Sequence, residues 1–155
     1  MPDATTGMLA WQPALLAAQA VASGAMCGVI WFVQIVHYPL FARIPSADGR
    51  VYAVENQRRT AWVVLPFMLV EGATAALVAV FPPAGVGWPA ALAGAVAVVA
   101  LWASTLAVQM PLHGRLAAAG HEPATVAALV RSNGVRTMLW TFRAVLAAWM
   151  LAAAS

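Results

Sequence analysis

Glu71 and Arg143 are the two residues of this 155-residue chain whose types fit their surroundings least. Each lies inside a long apolar run. An ionisable side chain at bilayer depth costs about 2.5–3.5 kcal/mol on insertion scales, so it persists where it pairs or acts on something. Glu71 sits roughly eleven residues into its run, about 16 Å along a helix, and a carboxylate cannot easily snorkel from there. Arg143 follows Arg136 by about two helical turns, so the two share a face and the Arg143 side chain can extend toward Glu71. Glu71 could then serve as a proton acceptor while Arg136 and Arg143 stabilise a developing oxyanion. The plainer alternatives are a protonated Glu71 bonded to a neighbouring helix and an Arg143 that snorkels to the headgroups.

A second group of polar residues lies where apolar runs end. Gln34 and His37, three apart, and Gln109 and His113, four apart, are each spaced to share a helix face beside a proline. Asn56 and Asn133 open the runs that follow. Imidazoles so placed could bind a metal, shuttle protons, or orient a polar group of a ligand. Two histidines do not complete a metal centre, and no Glu-x-x-His spacing supplies the rest, so metal and cofactor stay open. Along the last run Asn133, Arg136, Trp140 and Arg143 recur at helical spacing, a stripe too polar to face lipid. His121, beside Glu122, reads as solvated.

The elements that must position these residues are legible from hydropathy. Hydrophobic residues make up 63% of the chain and charged residues 8%, against roughly 45–50% and 25% in soluble domains. Four runs, about 14–36, 60–81, 90–110 and 135–154, are each long enough to cross a ~30 Å hydrocarbon layer as a helix. The expected fold is an all-α, single-domain membrane protein of four transmembrane helices arranged as two parallel helical hairpins. Pro39 and Pro111 should end the first and third spans, and Pro66 lies inside the second. The segments RVYAVENQRR and HEPATVAALVR predict short interfacial helices in the two loops.

All eight cationic residues are arginine. Arg43, Arg50, Arg58 and Arg59 precede the second span; Arg115, Arg131 and Arg136 precede the fourth or open it. By the positive-inside rule both of these loops are cytoplasmic and both termini outside, as in a bacterial inner-membrane protein. Trp11, Trp88 and Trp149 would mark the outer interface and Trp62 and Trp140 the inner one. Trp102 is left near mid-membrane, in need of a partner for its N–H. No cationic segment precedes the first run, so no cleaved signal is expected. The lone Cys27 reads as a packed apolar residue. A sequence pI near 10.0 is explained by arginines beside anionic lipid rather than by nucleic acid. No P-loop, dinucleotide fingerprint or nucleophile elbow occurs. Ala20, Gly24 and Gly28 form a small-residue stripe suited to close helix approach, and a homodimer could form there.

The halves 14–81 and 90–154 also repeat each other weakly. Both carry Pro-Leu-x-x-Arg, at Pro39 and at Pro111, and both enter the next span with Asn-x-x-Arg-Thr, at Asn56 and at Asn133. Segments QMPLHGRLAAAG and SNGVRTMLW resemble those joining the last two helices in the anthrone-oxygenase-like family of small four-helix membrane proteins. That family carries Asn-x-Pro-x-Asn near the end of its third helix and Asn-x-x-Arg at the start of its fourth. Asn133 and Arg136 match the second motif, while Gln109 and His113 stand in place of the two asparagines of the first. The resemblance, confined to the C-terminal third, implies oxidoreductase chemistry on a lipophilic aromatic or quinone-like small molecule. A small proton-coupled transporter or channel relying on Glu71, and an accessory membrane subunit, are the alternative readings.

Overall fold

A computed structural model describes residues 10–120 and 122–154, so His121 and the acidic N-terminal tail lie outside the described residues. Every element among them is helical. Helix α1 spans Gln12–Phe41, α2 Ser46–Val80, α3 Trp88–Ala119 and α4 Pro123–Ala153. The first three are long and apolar enough to cross a membrane. The fourth carries Arg131, Arg136 and Arg143, which lower its mean hydropathy.

Helices pack in chain order around a ring: α1 on α2, α2 on α3, α3 on α4, with α4 closing onto α1. Three apolar clusters stack along the bundle. Leu16, Val78, Val86, Ala91 and Met150 gather one end, built from the start of α1 and α3 and the finish of α2 and α4. Met26, Ile30, Met68, Leu101 and Trp140 fill the middle. The opposite end is packed by Val33, Tyr38, Phe41, Ala53, Leu112, Leu116, Val126 and Leu129. Consecutive helices therefore run antiparallel, as the short connections require.

Two expectations about boundaries are corrected. The segments assigned to interfacial helices are not separate elements: RVYAVENQRR is the first part of a 35-residue α2 and the segment after Pro123 the first part of a 31-residue α4. Nothing at either junction breaks the backbone, so the chain keeps its hydrogen-bond ladder as it leaves the apolar zone. On that projecting part of α2, Arg58 and Arg59 bond Glu55 at 2.9 and 2.6 Å. The hydrogen bonds from Arg58, then from Arg59, hold the Glu55 carboxyl down to about 2. The pairing is exposed and adds little stability.

Pro39 and Pro111 also fail to end their helices. Each is preceded by a π-helical turn, Val33–His37 in α1 and Thr105–Gln109 in α3. A proline ring clashes with the carbonyl four residues back and offers that carbonyl no donor. Widening the turn before it relieves the clash: Tyr38 N–H reaches Val33 O, and Met110 N–H reaches Thr105 O, each one residue farther back than in an α-helix. Helices α1 and α3 thus share one device at matching places, two residues before each proline. Helix α2 continues through Pro66.

The glycine stripe is not used for packing between the helices of this chain. A Cβ placed on Gly24 or Gly28 would meet nothing within 4 Å. The face of α1 that enters the bundle is instead Leu16, Gln19, Ser23, Met26 and Ile30. Within the helices, Gly94 makes room for Arg143, since a Cβ there would lie 3.2 Å from Arg143 Nη1.

Candidate functional site: an apolar cavity with a polar end

The sequence singles out one polar cleft; the structure divides its residues between two layers. The deeper layer is closed. Glu71, 1% exposed, accepts hydrogen bonds from Ser23 Oγ at 2.8 Å and from Trp140 Nε1 at 2.9 Å. Arg143 Nε stands 3.5 Å from Glu71 Oε1, an ion pair across the bundle between the non-adjacent helices α2 and α4. That distance is beyond good hydrogen-bond geometry, and none of the three Arg143 nitrogens has a hydrogen-bond partner among the described residues. The contact is thus mainly charge against charge. Gln19 joins the layer, donating to Met150 Sδ at 3.3 Å with its carbonyl left over.

The second layer lines a cavity of about 280 Å3 toward the loop end of the bundle. Its inner wall is apolar, with Met26, Ile30 and Val33 of α1 and Met68 of α2, and Trp102 contributes its ring from α3. The indole nitrogen of Trp102 lies beside Gly72 of α2, 3.8 Å from where a Cβ there would sit. The cavity rim between α2 and α3 includes Ala61, Leu65, Leu106 and Met110, all exposed on the outer surface of the bundle.

Polar side chains collect at one end, and the π-helical turns put them there. His37 Nε2 pairs with Asn56 Oδ1 at 2.8 Å, and the same oxygen accepts from Thr60 Oγ1 at 3.4 Å. Tyr38 hydroxyl pairs with His113 Nε2 at 2.9 Å, joining α1 to α3. Gln109 donates from Nε2 to Ser132 Oγ at 2.9 Å, and Ser132 in turn donates to Ala128 O. That chain fixes the amide orientation and leaves Gln109 Oε1 as a buried acceptor with no partner. Arg136 completes the end from α4. It donates from Nη1 to Asn133 Oδ1 at 3.2 Å, lies 4.9 Å from the centre of the Trp140 ring, and meets the Tyr38 hydroxyl. Its Nε has no partner.

Of the residues read from the sequence, His37, Asn56, Gln109, His113 and Arg136 line this cavity. Glu71, Arg143 and Trp140 do not; Trp140 is fully buried and is no interfacial anchor. Its ring separates the layers, touching Arg136 on one side and Glu71 on the other. Gln34 and Asn133 are bonded to each other at 2.9 Å, away from the cavity. Gln34 and His37 part company because residues three apart no longer share a face once the turn widens. Ser23 and Tyr38 are the functional-looking residues the sequence reading passed over. Among the described residues, no three His, Cys, Asp or Glu side chains come together.

Comparison with protein-family models, with curated proteins and with solved structures finds no match.

Proposed function

We propose that this chain is a four-span integral membrane protein of the bacterial inner membrane that takes a lipophilic small molecule, aromatic or quinone-like, into the cavity. The observation that carries the reading is the division of its lining: apolar walls, a rim of exposed aliphatic side chains between α2 and α3, and hydrogen-bonding groups at one end. Such a shape suits a ligand whose body partitions into hydrocarbon and whose oxygen substituent enters first. Because Ala61, Leu65, Leu106 and Met110 face outward, entry is from the bilayer.

The fourth span is supported by the surface of α4. Val135, Met138, Phe142, Val145 and Trp149 are exposed on one face, while Asn133, Arg136, Trp140 and Arg143 are buried on the other. A helix with apolar residues outward and polar residues inward belongs in lipid. Both termini lie outside in this reading, and the two halves are parallel repeats about the bundle axis. Reporter fusions at Gly49 and Gly120 should report a cytoplasmic location, and fusions at Pro83 and Ser155 an external one. A cytoplasmic C-terminus would overturn the orientation. The open Ala20, Gly24 and Gly28 face is where a homodimer would form.

Oxidoreductase chemistry is the reaction class we attach to the site, supported only by the resemblance of Asn133 and Arg136 to the Asn-x-x-Arg motif of the anthrone-oxygenase-like family. His113 and Tyr38, paired at 2.9 Å, are a proton-carrying pair at the polar end of the cavity. No such support attaches to proton-coupled transport, since Glu71 is enclosed by Ser23, Trp140 and Arg143.

Binding is tested with a lipophilic naphthoquinone titrated against the tryptophan fluorescence of the purified chain in neutral detergent. Saturable quenching is expected, and a large part of it should vanish in Trp102→Phe. Ala61→Phe, at an exposed rim position where a larger side chain does not strain the core, should weaken binding by roughly tenfold or more, on the order of the contacts it obstructs. Unchanged saturable binding in Ala61→Phe would exclude this cavity as the site.

A further inference from the structure

The two buried arginines of α4 differ in one respect. Arg143 has a carboxylate, Glu71, at 3.5 Å. Arg136, 7% exposed, has none: the ion pairs among the described residues are Arg58 and Arg59 with Glu55, and Arg143 with Glu71. The arginine without a counter-ion is the one that lines the cavity. Its neighbours Asn133, Tyr38 and Trp140 are neutral and leave Nε unused. A guanidinium does not give up its proton inside a protein, and a buried cation without an anion is costly. The missing charge has to come from whatever occupies the cavity.

We infer that the ligand is an amphipathic acid, an aromatic or otherwise lipophilic body bearing an oxyanion that seats against Arg136. This rests on the cavity being a lipophilic-ligand site and narrows its ligand from neutral quinones to weak acids. The anion seats against the Arg136 guanidinium where that side chain lines the polar end of the cavity. The body lies against Met26, Ile30 and Met68, and the tail leaves between Leu65 and Leu106 toward the bilayer. Acids of this kind partition into membranes with the carboxylate near the headgroups, the level at which the cytoplasmic arginines would hold this end of the bundle.

The test is calorimetric titration of the full chain in neutral-detergent micelles, against a micelle blank, with para-octylbenzoate and para-octylbenzyl alcohol. These probes share a ring and a tail and differ in the oxyanion. Hydrogen bonds to charged groups contribute about 1.5–3 kcal/mol, so the acid should bind roughly ten- to a hundredfold tighter than the alcohol. Arg136→Met should erase the acid-over-alcohol preference, while Arg136→Lys, which keeps the charge, should retain part of it. Equal binding of the two probes to the unaltered chain, a comparison that needs no variant, would overturn the anion and leave the lipophilic cavity standing. A preference for the acid that survives in Arg136→Met would overturn Arg136 as its partner. If neither probe saturates, the cavity reading itself fails.

Discussion

Glu71→Gln and Arg143→Met should each destabilise the chain in detergent by about 3–5 kcal/mol, because each strands the other's charge in an enclosed layer. The double variant should lose far less than the sum. Glu71→Gln keeps the side chain's shape and leaves an oxygen that can still accept from Ser23 or Trp140, so its cost comes mainly from the unpaired guanidinium. Arg143→Met removes a side chain that has no hydrogen bonds but a carboxylate 3.5 Å away; its cost comes mainly from an unpaired carboxylate. With both gone no charge is left at that depth; the amide oxygen still accepts from Trp140 Nε1 and the amide nitrogen can donate to Ser23 Oγ. The readout is a double-mutant cycle on reversible unfolding in a mixed detergent. Single effects that add within about 0.5 kcal/mol would mean that the pair does not interact. Since neither residue lines the cavity, variants that remain folded should bind the naphthoquinone about as well as the unaltered chain.

Trp140 offers the other large effect. Fully buried, it donates to Glu71 and lies beneath the Arg136 guanidinium, so it supports both layers. Trp140→Ala should cost about 3–5 kcal/mol through the cavity it leaves. Trp140→Phe keeps most of the ring and the cation–π contact but takes one donor from a buried carboxylate, and should cost about 1–3 kcal/mol. Ligand binding should respond differently from stability: Trp140→Ala frees Arg136 from its ring and should weaken binding, whereas Trp140→Phe should not. A Trp140→Phe variant as stable as the unaltered chain would show that the indole N–H contributes nothing to holding Glu71.

What could be read from the sequence was what stands out against an apolar background. Glu71 and Arg143 did so by charge, and the seven-residue spacing of Arg136 and Arg143 placed both on the inward face of α4. Ser23 and Tyr38 are neutral and common in membrane helices, and carried no such contrast. The signal for Ser23 was the placing of Gln12, Gln19 and Ser23 on one face of an otherwise apolar helix. Prolines misled most. Pro39 and Pro111 read as helix ends because a proline cannot continue the α-helical ladder, but a wider turn continues it by another pattern. That turn set His37 apart from Gln34 and brought His37, Tyr38, Gln109 and His113 to one end of a cavity. Whether polar residues form one cleft or two layers depended on where a single ring, Trp140, packs. Its own sequence position, one turn after Arg136, suited an interfacial anchor equally well.

A lipophilic molecule should occupy the space between Met26, Met68, Trp102 and the polar end at His37, His113 and Arg136, entering between α2 and α3. That occupancy is tested most directly by an experimental structure of the chain in a lipid nanodisc with para-octylbenzoate present. Density should fill the cavity, its polar head at Arg136 and its tail continuous with the bilayer between Leu65 and Leu106. A cavity closed by inward movement of α2 and α3, or filled by water alone in the presence of saturating probe, would contradict it.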